Sequence, residues 1–122
     1  MTDPIAAKPA PAAPQIVTID DFKKLEFRTA KILEVSDHPS ADRLWVVKID
    51  LGDGTTKQIV AGIKAHYPKE ELVGKTVIVV NNLQPSVIRG VESQGMLLAA
   101  KNAEGLTIVS TDKPIASGAS VG

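Results

Sequence analysis

The stretch RLWVVKIDLGDGTTKQIV, residues 43–60, decides the fold class. Two β-branched runs, 43–51 and 56–60, flank Asp53-Gly54, a dipeptide typical of the tight turn of a β-hairpin. Because similar runs recur on both sides of this hairpin, the sequence predicts an all-β domain. These further strand candidates are residues 28–35, 75–80, 96–100 and 106–110.

A helical insert follows the hairpin, where AGIKAHYPKEELVG, residues 61–74, breaks the strand rhythm. Pro68 fits the first turn of a short helix at KEEL, and Gly74 ends it. A five-stranded Greek-key barrel with a helical insert between strands 3 and 4 is the arrangement of an OB-fold, whose exposed face often binds oligonucleotides. An open β-sandwich gives almost the same pattern.

A short helix is expected before the first strand. Thr18 and Asp21 have the spacing of a capping box, and Phe22 and Leu25 are expected to share the buried face of this helix.

The two ends of the chain differ from the barrel in composition. Residues 1–14 are mostly Pro and Ala, which predicts a disordered tail, so the ordered domain is expected at 15–122. Residues from about 105 to 122 add an extension beyond the five barrel strands. The tail is similar to an interdomain linker and Met1 is similar to a native start, so a free-standing chain and a fragment both stay open.

Composition excludes several classes of function. The 122 residues contain no cysteine, which removes disulfides, thiolate zinc sites and thiol nucleophiles. Fourteen Lys and Arg balance fourteen Asp and Glu, so any polyanion site must be local. No apolar run approaches the roughly 20 residues that span a bilayer, and the first residues do not have the pattern of a signal peptide. A cytoplasmic protein that does not use the membrane is expected.

The residues that carry catalysis or stacking are few. His38 and His66 have no metal-ligand spacing and are expected to be surface or partly packed residues. Trp45 alternates with apolar residues and is expected in the core, which leaves too few rings to stack a long single strand. The sequence therefore predicts a non-enzymatic binding module, without cofactor or metal, that recognises a folded shape.

One arc of sequence indicates a binding surface. In RGVESQGM, residues 89–96, Ser93, Gln94 and Gly95 bring donors, acceptors and backbone freedom to a short segment ahead of an apolar run. A bulge that bends the barrel and binds nothing is the alternative. From Lys57 to Arg89 five basic residues face two acidic ones, an excess that a solvated face also explains.

From about residue 18 to its C-terminus the chain closely resembles the tRNA-binding domain at the C-terminus of bacterial methionyl-tRNA synthetases, which stand-alone structure-specific tRNA-binding proteins share. HPSADRL (38–44), QIVAGI (58–63) and RGVESQGM carry the resemblance. It implies an OB-fold, often dimeric through its C-terminal extension, that binds the outer corner of the tRNA L by shape without reading the anticodon. Methionyl-tRNA synthetase is then an expected partner.

The resemblance also implies which residues contact tRNA. In such a site Arg and Lys contact phosphates, Asn and Ser reach sugars or base edges, and Met packs on a base. The implied tRNA contacts are Arg28, Lys31, Asn82, Arg89, Ser93 and Met96. The extension can fold back on its own barrel or pair with a second chain, and the resemblance favours a homodimer. The expected interface residues are Leu106, Ile108, Ile115 and Val121.

One departure lowers the expected RNA affinity. Family members usually have a basic stretch such as Lys-Pro-Arg-Lys after the Asn-Leu pair, where this chain has Gln84, Pro85, Ser86 and Val87. The related secretion-chaperone branch, a dimeric barrel that binds unfolded polypeptide, is the alternative function, although that branch usually lacks the full VESQGM arc. The third possible function is that of a scaffold that only dimerises.

Overall fold

The structure, a computed structural model, describes residues 14–122. Of the predicted disordered tail at 1–14, all but Pro14 lies outside the described residues. In chain order the described elements are α1 (Ile19–Lys23), β1 (Phe27–Asp37), β2 (Trp45–Asp50), β3 (Thr56–Ala61), α2 (Lys69–Leu72), β4 (Thr76–Val80), β5 (Ser86–Ile88), β6 (Val91–Ser93), β7 (Met96–Leu97), β8 (Ala99–Asn102), β9 (Gly105–Ile108) and β10 (Ser120–Val121).

The main sheet is antiparallel, with strand order β3-β2-β1-β4-β7 and with β10 also paired to β1. The long strand β1 pairs with β4 along its first half, where Phe27 faces Val80, and with β2 along its second half, where Asp37 faces Trp45. A register shift between Ile32 and Glu34 marks the bulge that bends β1 between these two partners. This bend curls the sheet into a barrel.

The arc closes the barrel against β3. The Gln94 amide donates to the Gln58 carbonyl at 2.8 Å, and the Gln58 amide donates to Gln94 Oε1 at 2.9 Å. The Val60 amide donates to Ser93 Oγ at 3.0 Å. Backbone and side-chain groups of the arc thus together satisfy the edge of β3 in place of a regular strand ladder. The predicted OB-fold barrel is confirmed, and the open sandwich is excluded.

The barrel encloses one apolar core. It is built from the inward residues of the long strands, with Leu72 of α2 covering one end. Trp45 is 6% exposed and its Nε1 donates to the Tyr67 carbonyl at 2.8 Å, so its predicted core position is confirmed. The largest fully buried side chains are Ile32, Ile49, Ile59, Leu72, Val47, Val77, Val79 and Thr29.

Local signals predict the turns and caps correctly. Asp53 and Gly54, both with positive φ (53° and 76°), form the turn between β2 and β3. Pro68 is the N-cap residue of α2, one position before the first turn in which it was predicted, and Gly74, at φ 88°, follows the helix before β4. The capping box of α1 is present, because the Asp21 amide donates to the Thr18 hydroxyl at 3.1 Å and the Thr18 amide donates to the Asp21 carboxylate at 3.4 Å.

The predicted buried face of α1 is wrong. All five residues of α1 are exposed, and Phe22 and Leu25 remain 40% and 45% exposed. A five-residue helix at the start of β1 is too short to lay a face on the barrel, so Phe22 instead stacks on Phe27, with ring centroids 5.7 Å apart. An apolar surface is left open to solvent.

Several strand boundaries also differ from the prediction. The run predicted at 96–100 divides into β7 and β8, because the chain leaves β4 at Leu98 and starts a hairpin with β9. The run predicted at 106–110 forms strand only at 105–108. The hairpin of β5 and β6 was not predicted.

The C-terminal segment returns to its own barrel. The Thr29 amide donates to the Ala119 carbonyl at 2.9 Å, the Gly118 amide donates to the Thr29 carbonyl at 2.7 Å, and the Thr29 hydroxyl bridges Ala116 and Ala119. Gly118 and Gly52 bring two backbone segments so close that a Cβ on Gly52 would lie 2.8 Å from the Ser117 carbonyl oxygen. The extension therefore contributes to the fold of the single chain.

Candidate nucleic-acid interface

Three of the six predicted tRNA contacts meet at one end of β4. Arg28 lies beside Val79 in the β1–β4 ladder, and Met96 pairs with Val80 from the other side of β4. Asn82 is the second residue after the end of β4. Barrel closure thus brings together residues that are far apart in the sequence. Met96 is 48% exposed, but it shares a face with Val80 and Phe27, whereas Arg28 shares the opposite face with Val79.

A charged cluster surrounds this end of β4. We call it the Glu26 cluster, and it comprises Glu26, Arg28, Lys57, Asn81 and Asn82. The Glu26 carboxylate lies 2.8 Å from Arg28 Nε and accepts a hydrogen bond from Asn81 Nδ2 at 3.1 Å. Lys57 Nζ reaches across from β3 and donates to the Asn81 carbonyl at 2.9 Å. The two cations outnumber the carboxylate, so the cluster is locally basic in a chain of zero net charge.

The cluster also sets the protonation of its carboxylate. The hydrogen bond from Asn81 lowers the pKa of Glu26, partial desolvation opposes this, and the charges of Arg28 and Lys57 lower the pKa further. The net result is a pKa below the ordinary glutamate value of 4.5, so Glu26 is ionised at neutral pH.

The side chains of two predicted contact residues make hydrogen bonds within the chain itself. Asn82 accepts from the Glu26 amide at 2.8 Å and donates to the Lys24 carbonyl at 2.7 Å, which fixes the junction of α1 and β1. Ser93 is 4% exposed, and its hydroxyl accepts from Val60 and donates to the Gly95 carbonyl. Their RNA contacts stay predictions, but Ser93 reaches RNA only if the arc opens.

The two basic residues predicted on β1 point to different sides. Residues three apart on a strand face opposite sides of the sheet, and the bulge of β1 lies beyond Lys31. Lys31 is exposed between Asp50 and Thr76, on the side that Thr29 presents to the C-terminal segment. Arg28 belongs to the opposite side, at the rim of the barrel.

Arg89 lies at the tip of the β5–β6 hairpin, near the other end of β1. It adopts a φ of 53°, a conformation that costs a non-glycine residue energy, and its carbonyl accepts from the Ser40 hydroxyl at 2.9 Å. His38 Nδ1 accepts from the Ser40 amide at 3.0 Å, so Nε2 carries the proton and donates to the Ile88 carbonyl at 3.0 Å. His38 is only 6% exposed, so it is buried and not the surface or partly packed residue that the sequence predicted.

A second basic group surrounds that end of β1. Lys64 and Lys69 lie over the Trp45 ring, with Nζ 4.7 and 5.5 Å from its centroid, and both approach Asp37, at 3.3 and 3.8 Å. Arg89 and these lysines therefore form a basic end of the barrel opposite the Glu26 cluster.

Lys57 is the cation of the Glu26 cluster that the sequence does not assign to RNA. It belongs to the basic segment that ends at Arg89, but its approach to Asn81 depends on β3 closing against the end of β4. A lysine on a strand edge gives no local signal of such a contact.

The predicted interface residues occupy three environments. Ile108 is 8% exposed and belongs to the core, with Leu106 packed against it. Val121 pairs with Phe27, which joins it to the exposed Phe22 ring. Ile115 is exposed. The interface stays a prediction, and Ile115 and Val121 are its accessible members.

Two other kinds of feature are absent from residues 14–122. No group of three or more His, Asp or Glu side chains in this range is arranged to hold a metal ion. No helix in it has the length and apolarity needed to cross a membrane.

Comparison with known proteins identifies relatives of this barrel. A methionine–tRNA ligase of Thermococcus kodakarensis is 51% identical over 107 residues, which are 88% of this chain but only 14% of that protein. The crystal structure of a MetRS-related protein from Pyrococcus horikoshii superposes with a TM-score of 0.81 at 31% identity, covering 88% of this chain and 99% of that one.

A CsaA chaperone protein from Picrophilus torridus gives the same TM-score of 0.81 and 31% identity, covering 88% of this chain and all of that one (100%). The family model described as a putative tRNA-binding domain matches residues 27–120. The chain belongs to the putative tRNA-binding domain family.

Proposed function

We propose that this chain binds tRNA by shape, through phosphate contacts at the two basic ends of its barrel, and has no chemical step of its own. The observation that carries the proposal is the convergence of Arg28 and Lys57 beside Glu26 at the end of β4, with the exposed Met96 on the outer face of the same sheet. Cations meet phosphates, and a thioether packs on an unstacked base.

The distance between the two basic ends supports recognition of a folded RNA. β1 joins them, and its eleven residues rise about 3.3 Å each, so the two ends lie on the order of 30 Å apart. The phosphates that reach both ends must therefore be well separated. A folded RNA presents such phosphates in a fixed arrangement, whereas a short single strand does not.

The relatives support a role beside a synthetase. Because this chain spans 14% of a methionine–tRNA ligase, its proposed place is either as the C-terminal domain of such an enzyme or as a separate partner of one. In both cases it presents tRNA to the catalytic part, and its proposed compartment is the cytoplasm, where tRNA is charged.

The test is a titration with a tRNA transcript at several salt concentrations. Replacing Arg28, Lys57 or Arg89 with Ala should weaken binding and lower the slope of log K against log salt by about 0.7 to 0.9 for each phosphate that the variant no longer neutralises. Lys101→Ala is the matched control, because Lys101 lies on β8, which leaves β4 toward Thr76 and away from the Glu26 cluster. A control that loses as much affinity as Arg28→Ala contradicts the proposed face.

The same titration distinguishes tRNA binding from the alternative function, the binding of unfolded polypeptide. The likeness to a CsaA chaperone protein favours a second ligand, an unfolded polypeptide, so a denatured and reduced protein is titrated in parallel. Polypeptide binding without tRNA binding would refute the proposal. Different tRNAs should bind with similar affinity, since phosphate contacts carry no sequence information.

We also propose a homodimer, formed by apolar surface that the single chain leaves exposed. Phe22, Phe27 and Val121 are contiguous, and Ile115 lies in the same C-terminal segment as Val121. Deleting the extension is a poor test because it removes Ile108 from the core.

Ile115→Asp should instead convert a dimer to a monomer in light scattering at micromolar concentration. Val87→Asp, at a side chain 70% exposed on β5, should leave the mass unchanged. A parent chain that is already monomeric would refute the dimer.

A further inference from the structure

Glu26 is held rigidly at the rim of the barrel, immediately before β1. Its amide donates to Asn82 Oδ1 at 2.8 Å, and its carbonyl accepts from the Asn81 amide at 2.7 Å. Its carboxylate is oriented by Asn81 Nδ2 at 3.1 Å. Three contacts thus fix an anion beside the Arg28 guanidinium.

Arg28 is held on two sides, but loosely on one of them. Its Nη1 donates to the Gly118 carbonyl at 3.0 Å. Its Nε is buried and forms an ion pair with Glu26 Oε2 at 2.8 Å, without the alignment of a good hydrogen bond to any described residue. Both side chains are about 40% exposed (40% and 39%), and ion pairs exposed to this degree are weak.

A phosphate is a stronger partner for this guanidinium than Glu26 is. Arginine binds phosphate with two parallel, charge-assisted hydrogen bonds, and the guanidinium has five N–H donors, of which Gly118 takes one. An RNA phosphate arriving at Arg28 therefore meets the Glu26 carboxylate as a competitor and also as a like charge.

We propose that Glu26 limits RNA affinity at the Glu26 cluster by occupying Arg28 in the place of an RNA phosphate. This inference rests on the proposed function, because it assigns a role to a residue of that same site. Glu26 acts through Arg28, and its removal as a charge should strengthen binding. A gain of affinity is a direct test, because partial unfolding does not produce one.

Glu26→Gln is the appropriate change, since the glutamine oxygen still accepts from Asn81 while the negative charge is lost. With a tRNA transcript as the probe, affinity should rise about two- to fivefold, the range that weak exposed ion pairs represent. The salt slope should also steepen, by at most about 0.7 to 0.9, because competition from Glu26 lets Arg28 of the parent neutralise a phosphate only in part, and Glu26→Gln removes that competition. A purely structural role of Glu26 would not steepen the slope.

Glu104→Gln is the matched control. It makes the same change in net charge at an exposed residue in the turn between β8 and β9, away from the Glu26 cluster. Glu104→Gln should leave the salt slope unchanged. In an Arg28→Ala background, the gain from Glu26→Gln should fall to the level of this control.

The outcomes separate the two proposals. If the parent chain does not bind tRNA, the proposed function fails, and this inference fails with it. If the parent binds and Glu26→Gln behaves like Glu104→Gln, only this inference is overturned. A gain that persists in full without Arg28 also overturns it, because Glu26 would then act on RNA directly.

Discussion

Gly118→Ala should destabilise the protein far more than Gly54→Ala, although both glycines have positive φ (87° and 76°). A Cβ on Gly118 would overlap the Leu51 carbonyl oxygen, whereas a Cβ on Gly54 meets no atom of the described residues within 4 Å. The pair therefore separates the cost of the left-handed backbone from the cost of insufficient space.

The magnitudes follow from the contacts around Gly118. The left-handed conformation alone costs a residue with a Cβ about 1 to 2 kcal/mol, which is the expected loss for Gly54→Ala. In Gly118→Ala the overlap is with backbone on both sides, so the segment must move away from Thr29. It then gives up four hydrogen bonds of 2.7 to 2.9 Å, each worth about 0.5 to 1.5 kcal/mol. We expect an additional loss of about 2 to 6 kcal/mol.

Urea denaturation followed by tryptophan fluorescence measures this difference, because Trp45 is the sole tryptophan and is buried in the core. With a slope of about 2 kcal/mol per molar urea, the midpoint of Gly118→Ala should lie about 1 to 3 M below that of Gly54→Ala. Equal midpoints for the two variants would refute the argument that the C-terminal segment is docked by close backbone approach.

Three further predictions address other contacts. Tyr67→Phe should cost about 1 to 2 kcal/mol in the same denaturation assay, because the Ile108 amide loses the hydroxyl to which it donates at 3.0 Å; an unchanged midpoint argues against this bond. Ser40→Ala should weaken tRNA binding by loosening the hairpin tip, and should have little further effect once Arg89 is Ala; equal losses in both backgrounds would show that Ser40 does not act through Arg89. Because folding lowers the pKa of Glu26, its charge stabilises the protein above pH 4.5, and this contribution is lost as pH falls through the lowered value. The midpoints of the parent and Glu26→Gln, measured from pH 7 to 3, should therefore converge toward acid pH, and divergence there would contradict the sign.

Much of the fold was predictable because its signals are local. The Asp53-Gly54 turn, the Thr18 cap and the alternation around Trp45 each depend on a few neighbouring residues, and all three were found as predicted. The β5–β6 hairpin was missed because its local turn signal is an unusual one. Its two-residue turn has Arg89 at a positive φ, where Asn or Gly is the usual signal.

The candidate site was less predictable because the same polar side chains can serve either RNA recognition or the fold. Asn82 and Ser93 carry the donors and acceptors that RNA recognition uses, but the same groups satisfy backbone atoms of Glu26 and Val60. A sequence pattern locates such hydrogen-bonding groups, but it does not show whether their partner is RNA or the protein backbone. Lys57 shows the converse, because barrel closure alone brings it to the site.

The start of β1 couples the stability of the fold to the proposed RNA site. Thr29 anchors the C-terminal segment, and the neighbouring Arg28 is held by Gly118 of that segment on one side and by Glu26 on the other. Changes at Gly118 and at Glu26 should therefore have different effects on stability and on RNA affinity. Gly118→Ala removes a support that orients Arg28 and should lower stability and RNA affinity together. Glu26→Gln removes a competitor and should raise affinity without raising stability, so the two variants distinguish a residue that positions Arg28 from one that occupies it.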